Sequence, residues 1–427
     1  MSATVRILIG LIAGLGLGAV MAAFNPPWRD EAIAVLDGLG GVWLDALRMT
    51  IVPLVFALLV TGVAQAAGTL AAGGIAARSL LAFGVLLLVS AAMSVVASSA
   101  LLDLWPPASS ATNALRAAQA GAGAVPPTPP FADWLRSFVP NNAVKAAADG
   151  AMAPLVFFAL VFGLAATRIE DDRRARLFDL FDAIQAAMMV IVKWVLWAAP
   201  AGVFALGLVF GARTGLDGLG VLVQYVIVVS IMCLAAGLIA LVIGIVFGRI
   251  ALLRMLGALI PVSAVAISTQ SSLASMPAML EACQKIGVRD TVRDLVMPMA
   301  VALFRMTSPA GNIAVAVYVA HIYGIQLDIG HMIAGVVVAA LVSLAAVGIA
   351  SSVTFFTTLG PIFMAMGLPM ELLPLLLAVE TLPDLSRTIG NVAADVGVTA
   401  LIDRWSGRGA APAIAPAVAA TSVTDLP

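Results

Sequence analysis

Glu380, Asp384, Arg387, Asn391 and Asp395 stand four, three, four and four residues apart in the stretch ETLPDLSRTIGNVAAD, residues 380–395. On a helix this spacing puts all five on one narrow face, with Thr388 at its border. Leu382, Leu385, Ile389 and Val392 take the other faces. A guanidinium flanked by carboxylates and an amide is a receptor for a small zwitterion or dianion. Arg387 can grip a carboxylate through two parallel hydrogen bonds. Asp384, one turn earlier, can pair with an ammonium or hold Arg387 in place. Asn391 and Asp395 offer the oxygen ligands that a hard cation such as sodium requires. Glu380, once desolvated, can instead carry a proton.

The elements that must position these groups are apolar. MELLPLLLAV precedes the stretch and VGVTALI follows it. Charged side chains at membrane depth rarely meet lipid, so the stripe must face protein or a water-filled cavity. A plainer alternative is a buried cluster that only locks helices together. Buried ion pairs are weak support for stability, because desolvation can outweigh attraction. Ionisable groups inside spans are functional by default, which favours a binding role.

Composition agrees with membrane burial. Of 427 residues 62% are hydrophobic and 11% charged, against about 25% charged in soluble domains. The mean hydropathy is +1.10. Spans are expected near 4–24, 41–66, 78–103, 151–168, 184–211, 218–248, 295–319 and 371–402. The first is too long for the apolar part of a cleaved signal peptide. Two further stretches, 252–283 and 332–370, each carry a polar centre between short apolar halves: STQSS in the first and SSVTFFTT in the second. They read as two re-entrant hairpins, and paired interrupted segments point to a transporter's binding site. Serines and threonines are also common in packed membrane helices, so STQSS gains weight only from its place at a turn.

If eight spans alternate and both hairpins return, Arg78, Arg168, Arg173, Arg174, Arg176, Arg249, Arg254, Lys285, Arg289, Arg293, Arg404 and Arg408 share one side. Positive residues mark the cytoplasmic side, so both termini lie inside. Residues 104–150 form an external Pro/Ala-rich loop, and the tail 409–427 reads as a disordered cytoplasmic segment.

At this point the chain resembles the dicarboxylate/amino acid:cation symporter family, with the glutamate-transporter fold. The match covers nearly all of residues 4–405. It is carried by ALRMTIVPLVFALLVTGVA (46–64), NNAVKAAADGAMAPLVFFALVFGLA (141–165), APAGVFAL (199–206), STQSSLASMP (268–277) and, most specifically, DLSRTIGNVAADVGVTAL (384–401). The resemblance implies an all-α polytopic membrane protein of eight transmembrane helices plus two re-entrant helical hairpins, assembled as a homotrimer in the plasma (inner) membrane. It implies a single transporter domain over 1–408. A scaffold part lies mainly in 4–66 and 141–248, and a transport part mainly in 78–103 and 250–402 moves as an elevator.

The resemblance also implies roles. Asp384 would hold a substrate ammonium. Arg387 would hold the side-chain carboxylate, with Thr388 beside it. Asn391 would meet the α-carboxylate and a sodium site, and Asp395 would be the main side-chain ligand of that sodium. Ser271 and Ser272 would touch the other carboxylate. Ser351, Ser352, Thr354, Phe355 and Phe356 would lie in an extracellular gate.

The departures fall where cations should bind. The family's seventh span carries Asn-Met-Asp-Gly-Thr, whereas this chain reads RMTSP, Arg305 to Pro309. Arg305 replaces an amide, Thr307 a carboxylate ligand, and Pro309 a substrate-facing Thr. The site then sets three carboxylates against two guanidiniums and is two charges less negative than the family pattern. Arg305 is a candidate fixed cation in the sodium space; alternatively it turns to the cytoplasm or pairs with Asp395. Weak sodium dependence and proton coupling through Asp395 or Glu380 are expected.

The leading reading is cation-coupled symport of a small dicarboxylate or amino acid. The alternatives are an uncoupled anion-conducting channel or a transport-dead membrane sensor on the same fold. No cofactor is expected beyond sodium or protons as coupling ions. Lipid and the solute are the expected partners, and a net charge of -1 gives no nucleic-acid signal. An enzyme is disfavoured. The two histidines, His321 and His331, fall in an expected external loop, and no nucleophile–base pair or metal-ligand cluster is evident. The two cysteines do not suggest a disulfide framework.

Overall fold

The computed structural model describes residues 3–71, 73–109, 112–113, 116, 136, 138–215, 217–345 and 351–407. Among these no strand occurs. The chain runs through α1 (Ala3–Phe24), α2 (Arg29–Ala71), α3 (Gly74–Leu104), α4 (Ala143–Ala148), α5 (Met152–Ala166), α6 (Asp171–Trp197), α7 (Ala199–Thr214) and α8 (Asp217–Val246). It continues through α9 (Leu252–Thr269), α10 (Met276–Ile286), α11 (Asp290–Leu303), α12 (Thr307–Tyr323), α13 (Ile329–Ala345), α14 (Ser351–Met366), α15 (Leu373–Val379) and α16 (Thr381–Trp405). Among the described residues seven stretches of helix are long and apolar enough to cross a membrane. The protein is a multi-pass, all-α membrane protein. Most of the expected loop 104–150 and the tail 409–427 lie outside the described residues.

Prolines explain where the expected spans break. The expected span 184–211 is not one helix: α6 ends at Trp197 and α7 begins at Ala199, with Pro200 in its first turn. A proline there has no N–H to give and crowds the carbonyl four residues back. The Trp43 indole of α2 donates to Val195 O at 2.8 Å, so the end of α6 is tied to a neighbouring helix. The expected span 295–319 is likewise divided, into α11 and α12, with Pro309 in the first turn of α12. The expected span 371–402 divides at Glu380, which joins α15 to α16 just before Pro383.

Two other expectations are corrected. The polar centre SSVTFFTT of the second hairpin is not a turn; it opens the helix α14, and the link to α13 falls at 346–350, outside the described residues. His321 sits in the last turn of α12 and His331 in the first turn of α13, so neither is in a loop. The first hairpin has the expected helix–turn–helix form. α9 and α10 pack together and against α16, and the tip starts at Gln270, held in the left-handed region at φ 50°.

Two seams of small residues set the helix spacing. Gly10, Gly14 and Gly18 recur every four residues on α1 and face α7; a Cβ on Gly14 would lie 2.4 Å from Phe204 O. Gly237 and Gly244 of α8 cross Gly390 and Gly397 of α16, and a Cβ on Gly237 would lie 2.6 Å from the Gly390 Cα. In lipid, such close approach of backbones replaces hydrophobic driving force as the basis of helix association. The second seam holds the polar stripe of α16 in place. A Cβ on Gly390 would meet Thr307 Cγ2 at 2.5 Å and Cys233 O at 2.9 Å. Gly390→Val is therefore expected to cost at least about 1–3 kcal/mol and to lower the thermal unfolding midpoint in detergent. Gly16→Ala, with nothing within 4 Å, is the control and leaves the midpoint unchanged. Equal midpoints for both variants would contradict the close crossing.

Candidate functional site

The polar face of α16 is buried against α8 and α12. Arg387, 6% exposed, lies at its centre. Its Nη2 donates to Glu380 Oε1 at 2.7 Å, and its Nη1 donates to Asn312 Oδ1 at 3.1 Å. Its Nε lies 3.8 Å from Asp384 Oδ1. The other oxygen of Glu380 accepts from the Tyr225 hydroxyl of α8 at 2.5 Å. Thr388 turns back along its own helix, its hydroxyl donating to Asp384 O at 2.9 Å. Gly311 leaves room for the guanidinium: a Cβ there would lie 3.1 Å from Arg387 Nη2.

One turn further along α16, Asn391 is joined to the start of α12. Its Oδ1 accepts from Thr307 N at 3.0 Å and from Thr307 Oγ1 at 2.8 Å. The same hydroxyl lies 3.0 Å from Arg387 O. Asp395 is 1% exposed, and its Oδ1 has no hydrogen-bond partner. Arg305 is half-buried in the break between α11 and α12. Among the described contacts the Arg305 side chain makes no hydrogen bond or ion pair, while its carbonyl accepts from Ser308 N at 2.8 Å. Of the Arg305 readings, a direct ion pair with Asp395 is not formed in this structure.

These contacts bear on sodium. A cation bound between Asn391 and Asp395 needs oxygens free to coordinate it. The amide oxygen of Asn391 is already engaged by two donors of Thr307, so it fits a sodium ion poorly. The buried Oδ1 of Asp395, without a hydrogen-bond partner, has no such obstacle.

The remaining expected residues are more dispersed. Ser271 and Ser272 are half-buried at the tip between α9 and α10. Ser271 Oγ accepts from Ala274 N at 3.2 Å, which shapes the turn. Neither serine bonds to the Arg387 cluster among the described contacts. Ser351, Ser352 and Thr354 begin α14, and their side chains lie outside the described residues. Phe355 and Phe356 are buried, and Phe356 meets Trp43 of α2 edge-on with ring centroids 6.4 Å apart.

Sequence reasoning does not single out Tyr225 or Asn312, although both complete the Arg387 site. A signal for each exists. Tyr225 is one of three tyrosines in the chain and interrupts a long apolar span, and Asn312 is a lone amide in an apolar one.

A buried guanidinium, its carboxylate partner and an amide come together where helices meet through glycine seams, in a chain with several helices long and apolar enough to cross a membrane. The chain belongs to the sodium:dicarboxylate symporter family, whose family model matches residues 3–405. It is 26% identical over 418 residues to the proton/glutamate-aspartate symporter of Escherichia coli, covering 94% of this chain and 92% of that protein. It is 27% identical over 431 residues to the proton/sodium-glutamate symport protein of Bacillus subtilis, covering 98% and 96%. It is 25% identical over 414 residues to C4-dicarboxylate transport protein 2 of Pseudomonas aeruginosa, covering 94% and 90%.

Proposed function

We propose that the protein is a secondary active symporter that takes a small dicarboxylate or acidic amino acid across the plasma (inner) membrane, with Arg387 as the anchor of a substrate carboxylate. The names of the similar proteins support this substrate class. The observation that carries the reading is the buried ion pair of Arg387 with Glu380. An incoming carboxylate can take the place of Glu380 on the guanidinium with little change of geometry.

That exchange supplies a coupling step. Glu380 faces Arg387 and Asp384 from its own helix and Tyr225 from α8. Once the substrate holds Arg387, Glu380 is a buried carboxylate beside a second carboxylate and without its counter-charge. Such a group is costly to keep charged, and a proton relieves the cost. Substrate and proton then enter together and leave together. Sodium is the weaker candidate because the Asn391 amide oxygen is engaged by Thr307. Asp384 holds the ammonium of an amino-acid substrate, and the tip serines Ser271 and Ser272 close on its other end.

The movement fits a scaffold part in 4–66 and 141–248 and a transport part in 78–103 and 250–402, working as an elevator within a homotrimer whose termini are cytoplasmic. A cavity of about 380 Å³ between the two sets is lined by Leu59, Val63 and Leu160 on one side and Leu80, Leu303 and Leu344 on the other. An apolar, loosely filled boundary is suited to sliding. The hairpins α9–α10 and α13–α14 are proposed to re-enter the membrane and gate the site, the latter through Ser351, Ser352, Thr354, Phe355 and Phe356.

Thermal unfolding of the purified protein tests the binding half of this reading. L-Aspartate, L-glutamate, succinate or malate is expected to raise the midpoint by mass action, to a similar extent in sodium and in choline, and more at pH 5.5 than at pH 8. A shift seen only with sodium would remove the proton reading. No shift with any of these acids would remove the substrate class.

A further inference from the structure

Two buried donors of one side-chain cluster lack a hydrogen bond, the Asn312 amide and the Arg387 Nε, the latter 3.8 Å from Asp384 Oδ1. Asn312 is 1% exposed, and its Nδ2 meets no partner while its Oδ1 receives Arg387 Nη1. The Nε of Arg387 is also buried and lacks a hydrogen bond. The amide cannot be turned over to cure this, because its NH2 would then face the guanidinium N–H. Buried donors left unpaired are few in native proteins and carry a free-energy cost, so an acceptor is expected there at some stage of the working cycle.

We propose that Asn312 is a specificity-determining residue: its Nδ2 and the freed face of Arg387 together hold the substrate's distal carboxylate. This rests on the reading of Arg387 as the carboxylate anchor. With Oδ1 committed to Arg387, the amide offers the ligand a donor only. It therefore favours a carboxylate or another pure acceptor and gives nothing to an ammonium or an apolar end. A charged carboxylate also gains more from a buried donor than a neutral amide does. The chain thereby selects acidic solutes over their neutral analogues through α12 as well as α16.

Calorimetric titration of the purified protein tests this with two ligand pairs, L-aspartate against L-asparagine and succinate against succinamate. Asn312→Ala is expected to weaken each acid by roughly tenfold or more and each half-amide far less. The preference for the acid then shrinks by a similar factor. Equal weakening of both members of a pair would show that Asn312 only positions Arg387, and would overturn the proposal. Asn312→Asp keeps an acceptor for Arg387 but presents a carboxylate to the ligand; it is expected to fold, by its thermal unfolding, and to lose succinate binding. Unchanged acid affinity in either variant would equally overturn it. Arg387→Lys separates the two levels: full acid affinity there would remove the anchor itself, whereas loss there with no effect at Asn312 would remove only the present proposal.

Discussion

Arg387→Ala is expected to abolish uptake of every carboxylate-bearing solute, with a loss of at least about a hundredfold, the scale of a buried charge-assisted pair worth about 3 kcal/mol or more. Two effects add. The substrate loses the forked donor that matches its carboxylate. Glu380, whose counter-charge Arg387 supplies at 2.7 Å, is left buried with only the Tyr225 hydroxyl. The alanine variant is therefore expected to be less stable as well, which would confuse a reading from uptake alone. Arg387→Lys resolves this. The ammonium keeps the positive charge beside Glu380 and hence the fold, but it lacks the planar fork, and uptake remains severely reduced. Transport at near wild-type rate by a well-folded Arg387→Lys protein would remove the forked carboxylate contact.

Glu380→Gln is expected to act in the opposite sense on affinity. The amide is nearly isosteric and can still bond Tyr225, yet it cannot neutralise Arg387. A buried guanidinium that keeps only Asp384, 3.8 Å from its Nε, destabilises the ligand-free protein by up to about 3–5 kcal/mol, the cost of breaking a buried pair. A bound dicarboxylate restores the missing charge. The ligand-free variant should therefore unfold at a lower temperature, and its stabilisation by saturating succinate should exceed that of the wild type. Because the side-chain amide takes no proton, uptake by this variant should lose its response to a pH gradient. A Glu380→Gln protein with wild-type midpoint, ligand shift and pH response would show that the Glu380–Arg387 pair has no part in coupling.

How much of this was legible in the sequence differs from residue to residue. The stripe on α16 was fully legible, because a period of three and four residues is a property of one helix and needs no tertiary knowledge. Glu380, Asp384, Arg387, Asn391 and Asp395 are indeed buried together on that helix. What the stripe would face was not legible. Asn312 and Tyr225 come from helices 75 and 155 residues away along the chain, and only packing brings them to Arg387 and Glu380.

The partner of Thr307 was hidden by the same limit. Read alone, it is a lost cation ligand. In place, its amide and hydroxyl occupy the oxygen of Asn391. The breaks at Ala198, Arg305 and Glu380 followed prolines that hydropathy counts ignore. Pro200, Pro309 and Pro383 each sit in the first turn of the following helix, where the missing N–H is tolerated. The polar centre of the second hairpin lies within α14 rather than at a turn, since a membrane helix accepts serines and threonines by bonding its own backbone.

The central claim is that a carboxylate solute and a proton cross together. Its most direct measurement is concentrative uptake of radiolabelled L-aspartate and succinate into proteoliposomes under imposed gradients. The account predicts accumulation above the external concentration of one of these acids when the outside is acidic, with choline in place of sodium, and its loss when the pH gradient is collapsed. Accumulation that needs a sodium gradient and ignores pH, or an anion current with no accumulation at all, would contradict it.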